Sequence, residues 1–292
     1  MAEKDLTEKI LEDYNDVFAD IVNGLIFQGK SVVKEEDLYQ GGVHSQYKAE
    51  DSKLHELERD IQKHWSQGEI EFAMIGLENQ TEAEELMPFR VFGYDGAGYR
   101  SQLLKKVDKV VPVITMVLYF GTKTRWNKAK NIKSLMKIPP GLEEYVNDFK
   151  IQVFEIAWLS EEEISRFKSD FKVVANFFVN KRKNKNYIPN DPTEIKHVDE
   201  VLKLLAVMSG DRRYEELLWQ PENRGGVRNM CDVAQRLIES GIEKGIERGI
   251  EQERADVIQK MLLDHLSYDK IMQYTGASAE EIQKNEETLA IK

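Results

Sequence analysis

Cysteine is nearly missing from this 292-residue chain: Cys231 is the only one, so no internal disulfide can form and no thiolate cluster can hold a metal. Histidine is scarce too, and His44, His55, His64, His197 and His265 show no zinc-ligand spacing. No apolar stretch reaches the roughly eighteen residues that a membrane helix needs. The first residues, Met1-Ala2-Glu3-Lys4-Asp5-Leu6-Thr7-Glu8-Lys9, hold no apolar signal core. A reducing cytoplasm without membrane contact is the expected setting. Basic charge is in deficit, 41 Lys and Arg against 52 Asp and Glu, for a net charge of −11. That balance argues against coating nucleic acid by bulk electrostatics, which normally requires a basic face. There is no Gly-rich loop ending in Lys-Ser/Thr and no Gly-x-Ser-x-Gly elbow, so loop-type nucleotide hydrolysis and serine-hydrolase chemistry are unsupported.

What is present describes a folded body with a tail. Hydrophobic residues make up 41% and charged residues 32% of the chain, a balance typical of globular domains. Apolar residues at three- and four-residue steps from Leu6 to Ile26 predict an amphipathic helix over 5–27, stopped at Gln28-Gly29-Lys30. Residues 70–77 and 110–120 are hydrophobic runs suited to strands buried on both faces, while 54–65 fits helix or strand. Between them, 85–104 reads as a helix presenting Arg90, Tyr94 and Arg100. A strand is expected over 151–159. Ser160-Glu161-Glu162-Glu163 reads as a capping box opening a helix toward Val179, and Asp191-Pro192 precedes another over 193–209. The body is assigned residues 1–225 and an all-helical tail 226–292.

The most informative stretch is Ile70-Glu71-Phe72-Ala73-Met74-Ile75-Gly76-Leu77, closed by Glu78-Asn79-Gln80. On a strand, residues two apart share a face, so Glu78 and Gln80 point the same way. Asp60 adds a carboxylate from the preceding segment. Oxygen donors of this kind suit Mg²⁺, which takes one or two carboxylates and fills its shell with water. Hydrolysis of a phosphodiester could use such an ion to activate water and to neutralise charge growing on the phosphate.

The surrounding words carry a resemblance. Phe18-Ala19-Asp20-Ile21-Val22-Asn23, Arg59-Asp60-Ile61-Gln62-Lys63-His64-Trp65, Ile75-Gly76-Leu77-Glu78-Asn79-Gln80-Thr81, Met87-Pro88-Phe89-Arg90-Val91-Phe92-Gly93-Tyr94-Asp95 and Val111-Pro112-Val113-Ile114-Thr115-Met116-Val117-Leu118-Tyr119-Phe120-Gly121 occur in that order. Over residues 5–220 the chain resembles the Rpn family of recombination-promoting nucleases, also labelled putative transposases, of the PD-(D/E)xK nuclease superfamily. The resemblance implies an α/β restriction-endonuclease-like core, a mixed central sheet flanked by helices. It also implies a Mg²⁺-dependent DNA endonuclease of mobile-element or genome-defence type, with Mn²⁺ able to substitute. It places Asp60 on a strand, makes Asp60 and Glu78 direct ligands with the carbonyl of Asn79 adding one, and matches Asp20, with Asn23 one turn later, to an acidic position on the first helix. Where the superfamily usually has lysine, Gln80 stands, as in the Rpn branch. Glutamine has no titratable proton, so it orients water, and proton removal falls to a carboxylate or the ion's water.

Lys123, Arg125, Lys128 and Lys130 around Trp126, and Lys181-Arg182-Lys183-Asn184-Lys185, are candidate phosphate contacts. Arg90 either contacts phosphate or pairs with Glu78 or Asp95. In the tail, Gly241-Ile242-Glu243-Lys244-Gly245-Ile246-Glu247-Arg248-Gly249-Ile250-Glu251 repeats a Gly-Ile-Glu-x unit. Glycines every fourth residue weaken a helix yet let another backbone approach, so the tail is expected either to self-associate into a homo-oligomer or to act as a flexible tether. The end, 261–282, reads as a small helix-turn-helix poor in basic charge. Two alternatives stand beside the nuclease: a nuclease-fold binding protein of little activity that oligomerises through its tail, and an RNA-cleaving toxin using the same site.

Overall fold

The computed structural model describes residues 11–41, 44–48, 54–58, 60–68, 70–219 and 227–290. Leu11 and Glu12 are helical, a turn follows at 13–14, and α1 runs Asn15–Leu25. The helix predicted over 5–27 is therefore interrupted, and its residues 5–10 lie outside the described ones. Asn15 makes the break, because its amide donates to the carbonyls of Glu35 and Leu38 and ties the restart to the first strand. Val17, Phe18, Ile21 and Val22 then form the buried stripe that helical spacing demands.

The strands are β1 (Leu38–Gln40), β2 (His44–Lys48), β3 (Leu54–Glu58), β4 (Ile61–Gln67), β5 (Ile70–Gln80), β6 (Val113–Tyr119) and β7 (Gln152–Glu155). Five make one mixed sheet in the order β1-β4-β5-β6-β7, and β2 and β3 make a separate antiparallel pair. β1, β4 and β5 are antiparallel neighbours, whereas β5, β6 and β7 are parallel. A parallel pair needs a crossover, and the helix α2 (Met87–Leu104) supplies it between β5 and β6. Gly98 lets α2 settle on the sheet: a Cβ there would lie 2.9 Å from Val113 Cγ1. Met87, Val91, Val117, Tyr119, Trp126 and Ile151 form the core beneath α2. Against the other face lie α1 and α4 (Phe171–Lys183), where Phe120 meets Phe178 edge-on at 5.1 Å.

The Ser160 capping box is present, with Ser160 N–H donating to Glu163 and Glu163 N–H to Ser160 Oγ, but it opens only the short α3 (Glu161–Ser165). The helix expected to continue toward Val179 restarts as α4. The strand expected over 151–159 is β7 followed by a 3₁₀ turn at Ile156–Trp158. α5 (Val198–Ser209) and α6 (Arg213–Trp219) follow.

The chain divides into compact units at 1–234 and 235–292, and the division falls inside α7 (Met230–Leu263). The second unit also holds α8 (Tyr268–Thr275) and α9 (Ala279–Ala290), around a small core of Ile258, Ile271, Ala277 and Ile282. Gly276, at φ 65°, turns the chain between them, a conformation that costs glycine little. Ile242, Ile246 and Ile250 are exposed along α7. Among the described residues no helix is long and apolar enough to cross a membrane.

Candidate active site

The carboxyl ends of β5 and β6 and the start of β4 meet at one corner of the sheet. Asp60 does not lie on a strand, as the resemblance implies, but in the bend just before β4. Ile61 pairs with Leu77, so the same antiparallel register continued by one residue sets Asp60 beside Glu78. The bend frees the Asp60 side chain to accept a hydrogen bond from Asn79 N–H at 2.7 Å, and this fixes the corner.

Glu78 and Gln80 do share a face, and Gln80 Nε2 donates to Glu78 Oε1 at 3.1 Å. The same oxygen lies 2.6 Å from Arg90 Nη2. Arg90 therefore takes the ion-pairing alternative with Glu78 and not the one with Asp95, whose carboxylate instead accepts from Thr115 Oγ1 at 2.6 Å. Arg90 Nε also donates to Tyr94 Oη at 2.7 Å, and Nη1 to Glu84 at 3.1 Å. One helical turn separates Arg90 from Tyr94, so both reach the sheet from the same side of α2. Glu78 is 0% exposed and Asp60 8%, while Arg90 keeps 35% of its side chain in solvent. Water thus reaches this corner at Arg90 and at the half-buried Gln80.

The electrostatics follow from that burial. Desolvation alone would lower the Arg90 pKa, but Glu78, Tyr94 and Glu84 outweigh it and hold the guanidinium charged well above its ordinary range. Tyr94 is pushed up to about 12, first by burial and then by the Glu78 charge, with Asp60 adding to it and Arg90 opposing. It remains a neutral hydroxyl at working pH.

Asn79 points to the other face, where its Nδ2 donates to Glu12. The Asn79 side chain is thus turned away from Glu78. Glu12, fully buried, is the residue that sequence reading missed. Asp20 stands elsewhere: its Oδ2 accepts from Lys168 N, Ser169 N and Ser169 Oγ at 2.7–2.8 Å, bracing the turn that leads into α4. Asn23 clamps residues 32–33 through Val32 N, Val33 N and Val33 O. The structure does not bring this pair to Asp60 and Glu78.

The basic residues sit next door. Phe120 N–H donates to Gln80 O, so the chain leaving β6 starts beside Gln80. Tyr119 Oη donates to the Thr124 carbonyl, and Glu155 accepts from Trp126 N–H at 2.7 Å, folding the 121–128 segment back over the strand ends. Trp126 is a buried anchor, while Lys123, Arg125 and Lys128 are exposed. Arg125 pairs with Glu155 at 3.3 Å and Lys128 with Glu85 at 2.9 Å, close in sequence to the Glu84 that holds Arg90.

Among the described residues no group of three or more His, Cys, Asp or Glu side chains that could hold a metal ion occurs. Two neighbouring carboxylates with amide and carbonyl oxygens are nevertheless a hard-oxygen set that suits Mg²⁺, an ion that keeps several waters, and offer nothing to a soft metal.

A mixed five-stranded sheet flanked by helices, with a helical C-terminal region, gives an α/β nuclease-like fold. Residues 61–202 match the model of the family described as "Putative transposase, YhgA-like", so this region is similar to that family. It spans Glu78, Asn79, Gln80, Arg90, Lys123, Arg125 and Lys128 and begins one residue after Asp60. No curated protein and no solved structure matches the chain.

Proposed function

We propose that the chain is a Mg²⁺-dependent DNA endonuclease of the cytoplasm, hydrolysing phosphodiester bonds in a mobile-element or genome-defence setting. The observation that carries this reading is the meeting of Asp60, Glu78, Gln80 and Arg90 at the carboxyl end of the sheet, where open α/β sheets bind their ligands. Asp60 and Glu78 would hold the ion, with the main-chain carbonyl of Asn79 beside them. The ion supplies Lewis-acid stabilisation of the phosphate and an activated water. Gln80 orients that water through its amide. Arg90, fixed in its charged form, shifts part of its attraction from Glu78 to the phosphate as negative charge develops there. Tyr94 holds Arg90 in place by accepting from its Nε, and stays a neutral hydroxyl while it does so. Purified protein given supercoiled plasmid with Mg²⁺ should nick it, and EDTA should stop the reaction.

We further propose that the tail pairs two copies of the chain in parallel. At 100° per residue, Lys244 and Arg248 flank the glycine side of the exposed α7 stripe, and Glu243, Glu247 and Glu251 flank its isoleucine side. A parallel copy across a two-fold axis sets each acidic flank against a basic one. An antiparallel copy would set like against like. A Cβ on Gly241, Gly245 or Gly249 would meet nothing within 4 Å, so the surface is open to a close-packed partner.

A further inference from the structure

Two basic segments far apart in sequence converge on one indole. Arg125, in the segment after β6, has its guanidinium carbon 5.0 Å from the Trp158 ring centroid, and Arg182, in the last turn of α4, has its own at 4.4 Å. Trp158 is fixed by its indole N–H, which donates to the Gly121 carbonyl at 3.1 Å. Arg182 Nε donates to the Ala157 carbonyl at 2.7 Å, which orients the guanidinium over the ring.

Lysines and arginines in the last turn of a helix usually need no ligand, since the helix dipole favours them there. Arg182 differs from that case. An aromatic face immobilises a guanidinium without cancelling its charge, as a carboxylate would. No carboxylate pairs with Arg182 among the described residues. Arg125 has Glu155 at 3.3 Å, but that carboxylate also accepts from Trp126 N–H. The result is a pair of pre-oriented forks suited to phosphate oxygens.

The position of the pair gives it a direction. Gln80 lies beside Tyr119 in the β5–β6 register, Tyr119 holds Thr124, and Arg125 is the next residue. Through the buried Tyr119, the half-buried Gln80 is thus linked to the segment that carries Arg125, and through Trp158 to Arg182, with the exposed Lys123 and Lys183 in the same two segments.

We propose that Arg125 and Arg182, ordered on Trp158, form the surface that grips the phosphate backbone of DNA beside the catalytic corner. The inference rests on the nuclease reading and adds its substrate track. Phosphate gripping of this kind positions a strand without reading bases, so binding here is independent of sequence and sensitive to salt. A net charge of −11 does not oppose this, because cations gathered on one local track act on phosphate at short range.

The test is fluorescence anisotropy of the full chain with a labelled DNA duplex of random sequence, in EDTA so that nothing is cut, over a series of salt concentrations. Arg125→Gln/Arg182→Gln should lower affinity about tenfold and reduce the slope of log affinity against log salt by about two, close to one for each phosphate that is no longer neutralised. Because Arg182 also bonds the backbone, Lys123→Gln/Lys183→Gln, whose residues are exposed, serves as a second variant and should flatten the slope without altering the fold. Wild-type affinity and slope in both variants would overturn the track while leaving the nuclease reading intact. No binding of DNA by the wild-type chain would overturn both.

Discussion

Replacing Arg90 with methionine isolates the electrostatic heart of the site. Glu78 is 0% exposed, and its Oε1 lies 2.6 Å from the Arg90 guanidinium. Removing one partner of a buried ion pair costs about 3–5 kcal/mol, because the other charge is stranded. Arg90 is 35% exposed and Gln80 still donates to Glu78, so the loss here should be smaller, about 2–3 kcal/mol. For a unit of this size that is a fall in Tm of about 4–12 °C. Arg90→Met, Glu78→Gln and the double variant should be compared by thermal denaturation followed by circular dichroism, in EDTA. Once Glu78 is a neutral amide, loss of Arg90 strands nothing, so the double variant should lose at least about 1.5 kcal/mol less than the two single losses combined. Strictly additive losses would refute the claim that Arg90 neutralises Glu78.

Other consequences are equally direct. Tyr94, pushed up to about 12, has a folded pKa above its unfolded one, so its contribution is fully present below pH 10 and is lost as pH rises from there toward 12. Tyr94→Phe should therefore lose less stability over that alkaline interval than wild type, as judged by urea midpoints. Asp20→Ala should lower stability by about 1–3 kcal/mol through the loss of three hydrogen bonds, while specific nicking activity below the melting range stays near wild type. Gly24→Ala would drive a Cβ to 2.3 Å from Phe167 Cε1 and should cost about 1–3 kcal/mol by overpacking. Ile246→Glu, on the exposed stripe of α7, should leave thermal stability unchanged and shift the mass seen by light scattering from dimer to monomer; a wild-type monomer would end the pairing proposal.

The parts legible in sequence were those with one dominant physical cause. The run from Ile70 to Leu77 suits a strand, and on a strand Glu78 and Gln80 share a face. The 85–104 helix presented Arg90 and Tyr94 toward the site because they stand one turn apart. The resemblance places Asp60 on a strand, yet it sits in a bend where its carboxylate accepts from Asn79 N–H, an interaction 19 residues away that no local pattern encodes. The resemblance matches Asp20 to an acidic position on the first helix, which expects it in the site. The turn at 13–14 resets the helical phase, so Glu12 reaches Asn79 while Asp20 braces the start of α4. Nor could spacing show that the segments around Arg125 and Arg182 meet, since only the tertiary placement of Trp158 joins them.

The measurement that bears most directly on the catalytic assignment is cleavage of supercoiled plasmid by the purified chain, with Mg²⁺, with Mn²⁺ and with EDTA, beside Asp60→Ala and Glu78→Ala. Metal-dependent nicking by the wild type is predicted, and its loss in both variants, with all three proteins folded by circular dichroism. Equal residual cutting by all three, or cutting that persists in EDTA, would contradict that assignment and favour a nuclease-fold binding protein.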